Sequence, residues 1–198
     1  MLIYGHGTDD PNNLINSRDS FGRVRESGAD GVELDVRMMA DRSLVVIHDH
    51  LFPDGRPVAT ANGSDRPDHV LLLDDALDLC VGRIVNIEIK NFPQDPAFDP
   101  TEAIADETVQ LLRARIESGK ADQVLISCFG IACLDRIREL QPGLPTAHLV
   151  LSRRPAKHVV AACVEHGHGS VNPYVSMVDE VFMAVASLQN LVDSDSVL

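Results

Sequence analysis

The stretch Val32-Glu33-Leu34-Asp35-Val36 decides the fold, because acidic residues alternate with aliphatic ones along a predicted β-strand. Successive side chains of a strand point to opposite faces, so the two carboxylates share one face and the three aliphatic side chains share the other. The segment Asn86-Ile87-Glu88-Ile89-Lys90 repeats this alternation. A charge buried in a sheet needs a partner or a metal ion to offset its desolvation. The two segments therefore predict a sheet that carries a polar site.

Outward from these segments, predicted strands mostly alternate with stretches of helical spacing. Strands are predicted at 2–6, 31–38, 44–48, 83–90, 124–129, 146–150 and 170–175, and helices at 14–27, 71–80, 101–118, 131–141, 155–166 and 177–188. This alternation indicates the α/β class and favours a (β/α) barrel. A doubly wound open sheet is the competing fold, but the first strand lacks the usual Gly-rich turn after it. The turn at 40–43 is shorter than a parallel crossover normally needs, and the sequence offers no account of it.

The length of 198 residues indicates a single domain over 1–198. A (β/α) barrel has about 250 residues typically and about 200 at the low end. With seven strands predicted, we expect the barrel to lack its eighth βα unit at the C-terminus.

The charge balance restricts the possible partners. The chain has 30 acidic and 17 basic residues, a formal net charge of -13, which excludes nucleic acid as a partner because binding it requires Lys and Arg to neutralise phosphates. The four cysteines form no CxxC pair, which indicates reduced thiols. The sequence has neither a basic leader nor an apolar run near the ~20 residues of a membrane span. We expect a cytoplasmic protein without integral membrane association, and the sequence does not indicate its oligomeric state.

Carboxylates on neighbouring strands form the first candidate site. The carboxyl ends of parallel barrel strands converge, so Glu33, Asp35 and Glu88 are expected to meet. Like charges this close raise one another's pKa unless a cation lies between them. A donor set made only of oxygen favours Mg²⁺ or Ca²⁺.

Two histidines follow predicted strands, His6 after the first and His48 after the third. A histidine pair beside a bound divalent cation can supply one general base and one general acid. The cation would neutralise a phosphate oxygen. This combination predicts cleavage of a phosphodiester, with a small molecule as the substrate.

The motifs resemble, in order and spacing, the glycerophosphodiester phosphodiesterase family. The matching motifs are His6-Gly7, the segment 28–36, Leu44-Val45-Val46-Ile47-His48-Asp49 and Asn86-Ile87-Glu88-Ile89-Lys90. The resemblance covers residues 3 to 92 well and, more loosely, the Ser127-Cys128-Phe129 strand end with the helix after it and Val171-Asn172-Pro173. It implies a TIM barrel, a divalent cation held by Glu33, Asp35 and Glu88, catalysis by His6 and His48, and contact between Lys90 and the substrate phosphate. The implied products are glycerol 3-phosphate and an alcohol.

The chain departs from the family pattern near the first histidine. Many members have Arg where Gly7 stands, and Asn12 replaces a carboxylate, where it can donate a hydrogen bond or coordinate without charge. Tyr174, after the seventh predicted strand, is a further candidate for the substrate pocket. His166 and His168 flank Gly167 at a helix end and are assigned no chemistry. The chain also has no Trp, whereas the family normally carries a Trp-Thr-Val segment in a later strand.

Two other functions stay open at this point. One keeps the barrel and changes the substrate, as in a phospholipase of the sphingomyelinase D type, whose first histidine is likewise not followed by Arg. The other is a truncated, inactive barrel that binds a phosphorylated ligand.

Overall fold

The computed structural model describes residues 3–6, 16–120, 122–150 and 154–189. The strands are β1 (Tyr4–His6), β2 (Gly31–Met38), β3 (Leu44–Val46), β4 (Ile84–Ile89), β5 (Gln123–Cys128), β6 (Thr146–Val150) and β7 (Ser170–Pro173). The helices are α1 (Arg18–Ser27), α2 (Leu73–Leu79), α3 (Ala103–Glu117), α4 (Ile131–Leu140), α5 (Ala156–His166) and α6 (Glu180–Ser187). No helix in these ranges is long and apolar enough to cross a membrane.

The strands form one sheet in the order β1-β2-β4-β5-β6-β7, and every neighbouring pair along this path is parallel. Helices connect most of the parallel strands, as the alternating sequence pattern predicted. Within the described residues β1 pairs only with β2, and β7 only with β6. The described sheet is therefore part of a barrel with two free edges.

The third strand differs from its prediction. We expected 44–48 to be a parallel barrel strand, but β3 runs antiparallel to β2, with Val46 opposite Val36 and Leu44 opposite Met38. Antiparallel strands need only a short connection, which explains the brief turn before β3. The expectation was wrong because the alternation of predicted strands and helices along the chain does not encode the direction of a strand. The parallel strands in the described ranges number six rather than seven.

One face of the sheet forms the core. Val32, Leu34 and Val36 of β2 are 0 to 2% exposed, and the aliphatic residues of β4 and β5 continue this layer toward the helices. Full burial of such a side chain contributes about 1.5 to 3 kcal/mol. The layer fixes the sheet, and the opposite face of β2 and β4 is left to polar side chains.

The first helix begins later than the spacing predicted. Ser17 is its N-cap and forms a capping box with Ser20, so α1 starts at Arg18 rather than at residue 14. A capping box satisfies backbone N–H groups that the helix itself cannot pair, and so fixes the start. Asn12 lies outside the described residues, and its expected role in substrate binding stays a prediction.

Candidate active site

The strand register brings the predicted carboxylates together. His6 of β1 lies opposite Glu33 of β2, and Asp35 lies opposite Glu88 of β4. The His6 Nε2 atom is 2.9 Å from the Glu33 Oε2 atom. His6, Glu33 and Asp35 each offer a donor atom, and these atoms lie within 4.8 Å of one another. The polar face predicted from the alternation is thus a compact group of ionisable side chains.

Glu33 is the most perturbed member of this group. Burial raises the pKa of its carboxyl to about 7, the hydrogen bond with His6 opposes this rise, and the charge of Asp35 adds to it. The Oε1 atom of Glu33 is buried and lacks a hydrogen-bond partner among the described residues. An unpartnered buried carboxylate oxygen is costly unless a cation meets it.

The pKa of His6 is raised, although burial alone would lower it. The hydrogen bond with Glu33 raises the pKa of His6, burial lowers it, and the nearby carboxylates raise it further, for a net rise. The imidazole side chain is 52% exposed, so it faces solvent while it contacts the buried carboxylate. His6 can therefore exchange a proton with a bound molecule.

Lys90 and Asn16 hold Asp35. The Lys90 Nζ atom is 2.8 Å from Asp35 Oδ1, and the Asn16 Nδ2 atom donates to Asp35 Oδ2 at 2.9 Å. Lys90 also pairs with Glu88. Burial raises the pKa of Glu88 against the lowering effect of Lys90, whereas Asp35 and Glu88 raise the pKa of Lys90 despite its burial. The lysine lies inside the carboxylate group rather than at the solvent edge.

The donor set fits a hard divalent cation. Carboxylate oxygens from Glu33 and Asp35, joined by Glu88 on the adjacent strand, are the ligands that Mg²⁺ and Ca²⁺ prefer. The unpartnered Glu33 oxygen points to the same conclusion. The structure adds His6 to the compact group, whereas Glu88 is held by Lys90 and falls outside that group.

His48 reaches the site by an unexpected route. It follows an antiparallel strand, and the backbone N–H of Ile47 donates to the Asp35 carbonyl at 3.0 Å, which returns the chain to the level of the carboxylates. The His48 Nδ1 atom is 2.8 Å from Asp49 Oδ1, and the imidazole is 49% exposed. The rise that burial causes in the pKa of Glu88 is opposed first by Lys90 and, more weakly, by the neighbouring His48.

Sequence reasoning missed the ion pair that anchors His48. The guanidinium of Arg37 donates to both carboxylate oxygens of Asp95, at 3.0 and 2.7 Å, and its Nε donates to the His48 carbonyl at 2.9 Å. Both charged side chains are buried. Arg37 continues the two-residue period of Glu33 and Asp35, and this period could have indicated that Arg37 lies on the same polar face of the strand. Asp95 lies in a Pro-rich loop and gave none.

Tyr174 and a cavity beside Lys90 are two further features of the described residues. Tyr174 follows β7 with its side chain 59% exposed, so it faces solvent in this structure. A cavity of about 300 Å³ opens next to Lys90 and is also lined by Arg37, Asn91 and Asp99, but not by the carboxylate group.

Comparison with known proteins places this geometry in a family. The model of the glycerophosphoryl diester phosphodiesterase family matches residues 10–61 and 54–195. A glycerophosphodiester phosphodiesterase of Caldanaerobacter subterraneus subsp. tengcongensis is 48% identical over 48 residues, which are 24% of this chain and 20% of that protein. The alignment thus spans one fifth of the length of this curated relative.

Solved structures give the same fold. The glycerophosphodiester phosphodiesterase of Thermotoga maritima matches with a TM-score of 0.74 and 22% identity, over 97% of this chain and 84% of that one. A phosphodiesterase of Oleispira antarctica, solved in complex with the product sn-glycerol-3-phosphate, matches with a TM-score of 0.78 and 16% identity, over 96% of this chain and 81% of that one. The predicted TIM-barrel class is confirmed, with an incomplete barrel in the described residues. Since the family model matches most of its length, this chain belongs to the glycerophosphoryl diester phosphodiesterase family.

Proposed function

We propose that this chain hydrolyses glycerophosphodiesters to glycerol 3-phosphate and an alcohol. The observation that carries the proposal is the contact between His6 and the buried Glu33 beside Asp35, a proton donor next to a cation-binding carboxylate group. Membership of the family and the product named for the Oleispira antarctica structure support the choice of substrate.

We propose Glu33, Asp35 and Glu88 as ligands of a divalent cation, either Mg²⁺ or Ca²⁺. When bound, such an ion neutralises charge on the phosphate and stabilises the negative charge of the transition state. The lysine that now pairs with Asp35 and Glu88 would then have a weakened hold on both carboxylates. Lys90 would be released toward the phosphate, which is the contact expected of it.

Proton transfer falls to the two histidines. One accepts the proton of the adjacent substrate hydroxyl as that oxygen attacks phosphorus, and the other protonates the leaving alcohol; water then opens the resulting cyclic phosphate to give glycerol 3-phosphate. Asp49 holds the Nδ1 atom of His48, which leaves Nε2 to exchange a proton with the substrate. Asn12 and Tyr174 are proposed to contact the alcohol portion of the substrate.

The test is turnover of glycerophosphocholine by the 198-residue chain. We expect hydrolysis that disappears with a chelator, and loss of turnover in His6→Ala and His48→Ala with unchanged far-UV circular dichroism. His69→Ala is the matched control, because this exposed histidine lies outside the site. Normal turnover in both site variants would refute the proposal.

The same assay separates the alternatives. Cleavage of sphingomyelin or lysophospholipid in preference to soluble diesters would favour the sphingomyelinase D type. Binding of a phosphate ester without turnover, in the presence of Mg²⁺ and Ca²⁺, would favour an inactive barrel.

We further propose that the chain acts as a single domain over 1–198 in the cytoplasm. The location is supported by the four buried cysteines, Cys80, Cys128, Cys133 and Cys163, all of which are free thiols.

A further inference from the structure

A second group of side chains that could bind a metal ion lies apart from the carboxylates, later in the chain. Asp135 of α4, His166 at the end of α5 and His168 just before β7 form this group, which we call the His-Asp-His cluster. Its donor atoms lie within 4.8 Å of one another. His168 contacts Thr146, the first residue of β6, so the cluster is at the amino-terminal edge of the sheet. It is therefore separate from the proposed catalytic site.

His168 carries the strongest indication of a missing ligand. Its side chain is 0% exposed, and its Nε2 atom is buried without a hydrogen-bond partner among the described residues. The other ring nitrogen, Nδ1, is 3.1 Å from Thr146 Oγ1. A hydrogen bond at one ring nitrogen fixes the ring and leaves the lone pair of the other available, which is the usual arrangement of a metal-binding histidine. The free nitrogen faces Asp135 Oδ1 at 3.4 Å.

Gly167 allows both histidines to face the same carboxylate. It ends α5 with a φ of 72°, in the left-handed region, and the chain reverses there. The two imidazole rings lie nearly parallel, at 10°, with centroids 6.0 Å apart. His166 Nδ1 is 2.8 Å from Asp135 Oδ2, so each histidine approaches a different oxygen of that carboxylate.

The donor set and its spacing suit zinc. Two imidazole nitrogens and one carboxylate oxygen are typical zinc ligands, and bonds of about 2.0 to 2.1 Å in a tetrahedron place neighbouring donors about 3.4 Å apart. His166 Nδ1 and His168 Nε2 lie 2.8 and 3.4 Å from different oxygens of Asp135, and one donor atom from each of the three side chains lies within 4.8 Å of the others, which is compact enough to surround one ion. The side chains of His166 and Asp135 are 36% and 34% exposed, so water can reach a fourth position. Imidazole donors favour zinc over Mg²⁺ or Ca²⁺.

Arg138 is the charge that opposes a cation here. Its guanidinium lies against Gly167, where an added Cβ would approach within 2.8 Å of Nη2. Asp135 is the anionic member of the cluster, and its charge opposes that of Arg138 at His168. Neutralising Asp135 should weaken binding at least as much as removing one imidazole.

We propose that Asp135, His166 and His168 bind Zn²⁺, with water at the fourth position, at a site distinct from the carboxylate group. The ion would join α4 to the turn between α5 and β7, two parts of the fold that are separate in sequence. A ligand that binds only the folded state stabilises it in proportion to its concentration over its dissociation constant.

The test is Zn²⁺ binding to the untagged chain, measured by calorimetry with Ca²⁺ in excess to occupy the carboxylate group. We expect His166→Ala and Asp135→Asn to lose one zinc equivalent or to bind it at least about tenfold more weakly. The matched control is His158→Ala, an exposed histidine on the same helix, which should bind zinc as the wild type does. Replacement of Zn²⁺ by Co²⁺ should give visible absorption typical of a tetrahedral nitrogen and oxygen site, absent in His166→Ala.

Both ligand variants change partly exposed side chains, so they should fold, and their metal-free melting temperatures check this. Zinc stoichiometry and affinity unchanged in both variants would overturn the proposal. An equal loss in His158→Ala would overturn it as well, because it would show that zinc binds to surface histidines without selection.

Discussion

The buried ion pair between Arg37 and Asp95 gives the sharpest prediction about stability. Replacing Asp95 by Asn keeps the shape of the side chain and removes its charge, which leaves the guanidinium of Arg37 buried without a counter-ion. Burial alone would raise the pKa of Asp95, but the hydrogen bonds from Arg37 and from the backbone N–H of Ala97 lower it below its ordinary value. The carboxylate is therefore the form that the fold stabilises.

The expected loss is large for a single substitution. The side chains of Arg37 and Asp95 are 8% and 4% exposed, so water compensates little for the lost partner. Removing one partner of a buried pair typically costs about 3 to 5 kcal/mol. With a urea m-value near 2 kcal/mol/M, the unfolding midpoint should fall by roughly 1.5 to 2.5 M.

The assay is urea unfolding followed by far-UV circular dichroism. Asp54→Asn is the matched control, because Asp54 pairs with Arg56 at 2.7 Å on the exposed surface, where such pairs contribute little. The double variant Arg37→Met, Asp95→Leu should recover much of the loss, because it leaves no uncompensated buried charge. A midpoint shift in Asp95→Asn no larger than that in Asp54→Asn would refute the reasoning.

Three further predictions concern the site, pH and packing. Glu33→Gln should bind Ca²⁺ at least about tenfold more weakly by calorimetry, since it removes a charged ligand, and equal affinity would contradict the assignment. Burial lowers the pKa of His148, so as pH falls the unfolded state takes up the proton before the folded state does. The free energy of unfolding should therefore decline as pH falls below about 6.5. Unfolding measured from pH 8 to 5 should show a smaller decline in His148→Gln, and identical profiles for the variant and the wild type would count against this. Gly130→Ala should lower the free energy of unfolding by about 1 to 3 kcal/mol, because the added Cβ would lie 2.6 Å from the Asn91 carbonyl oxygen. Gly143→Ala, with open space around the added Cβ, should be nearly neutral. Equal unfolding free energies for the two variants would contradict this prediction.

Local alternation predicted the carboxylate group because strand period and parallel register are enough to align Glu33, Asp35 and Glu88. The same rule did not predict the direction of β3, which depends on the length of the connection rather than on the pattern within the strand. His48 was expected at the end of a parallel strand but follows an antiparallel one, and its role in catalysis stays a prediction.

Contacts between distant segments were beyond the reach of the sequence. Asp95 reaches Arg37 across 58 positions, and nothing in its own loop indicates that partner. His166 and His168 flank a glycine at a helix end, and only the fold shows that Asp135, 31 positions before His166, lies between them. Predictions from one chain succeed where a local period decides the outcome, and fail where contacts between distant segments decide it.

The antiparallel hairpin places the two proposed catalytic residues, His6 and His48, in different parts of the fold. His6 and the carboxylates belong to the parallel sheet, where an insertion of one residue would turn their side chains to the wrong face. His48 and the segment after it, up to about residue 70, form an excursion from the sheet that ends at α2. The two stretches that the family model matches overlap within this excursion, at 54–61. Loop length there can change without shifting Glu33 or Asp35. A change of length in this excursion should therefore leave the proposed cation site in place, which makes the excursion a region where the proposed substrate specificity could be redesigned.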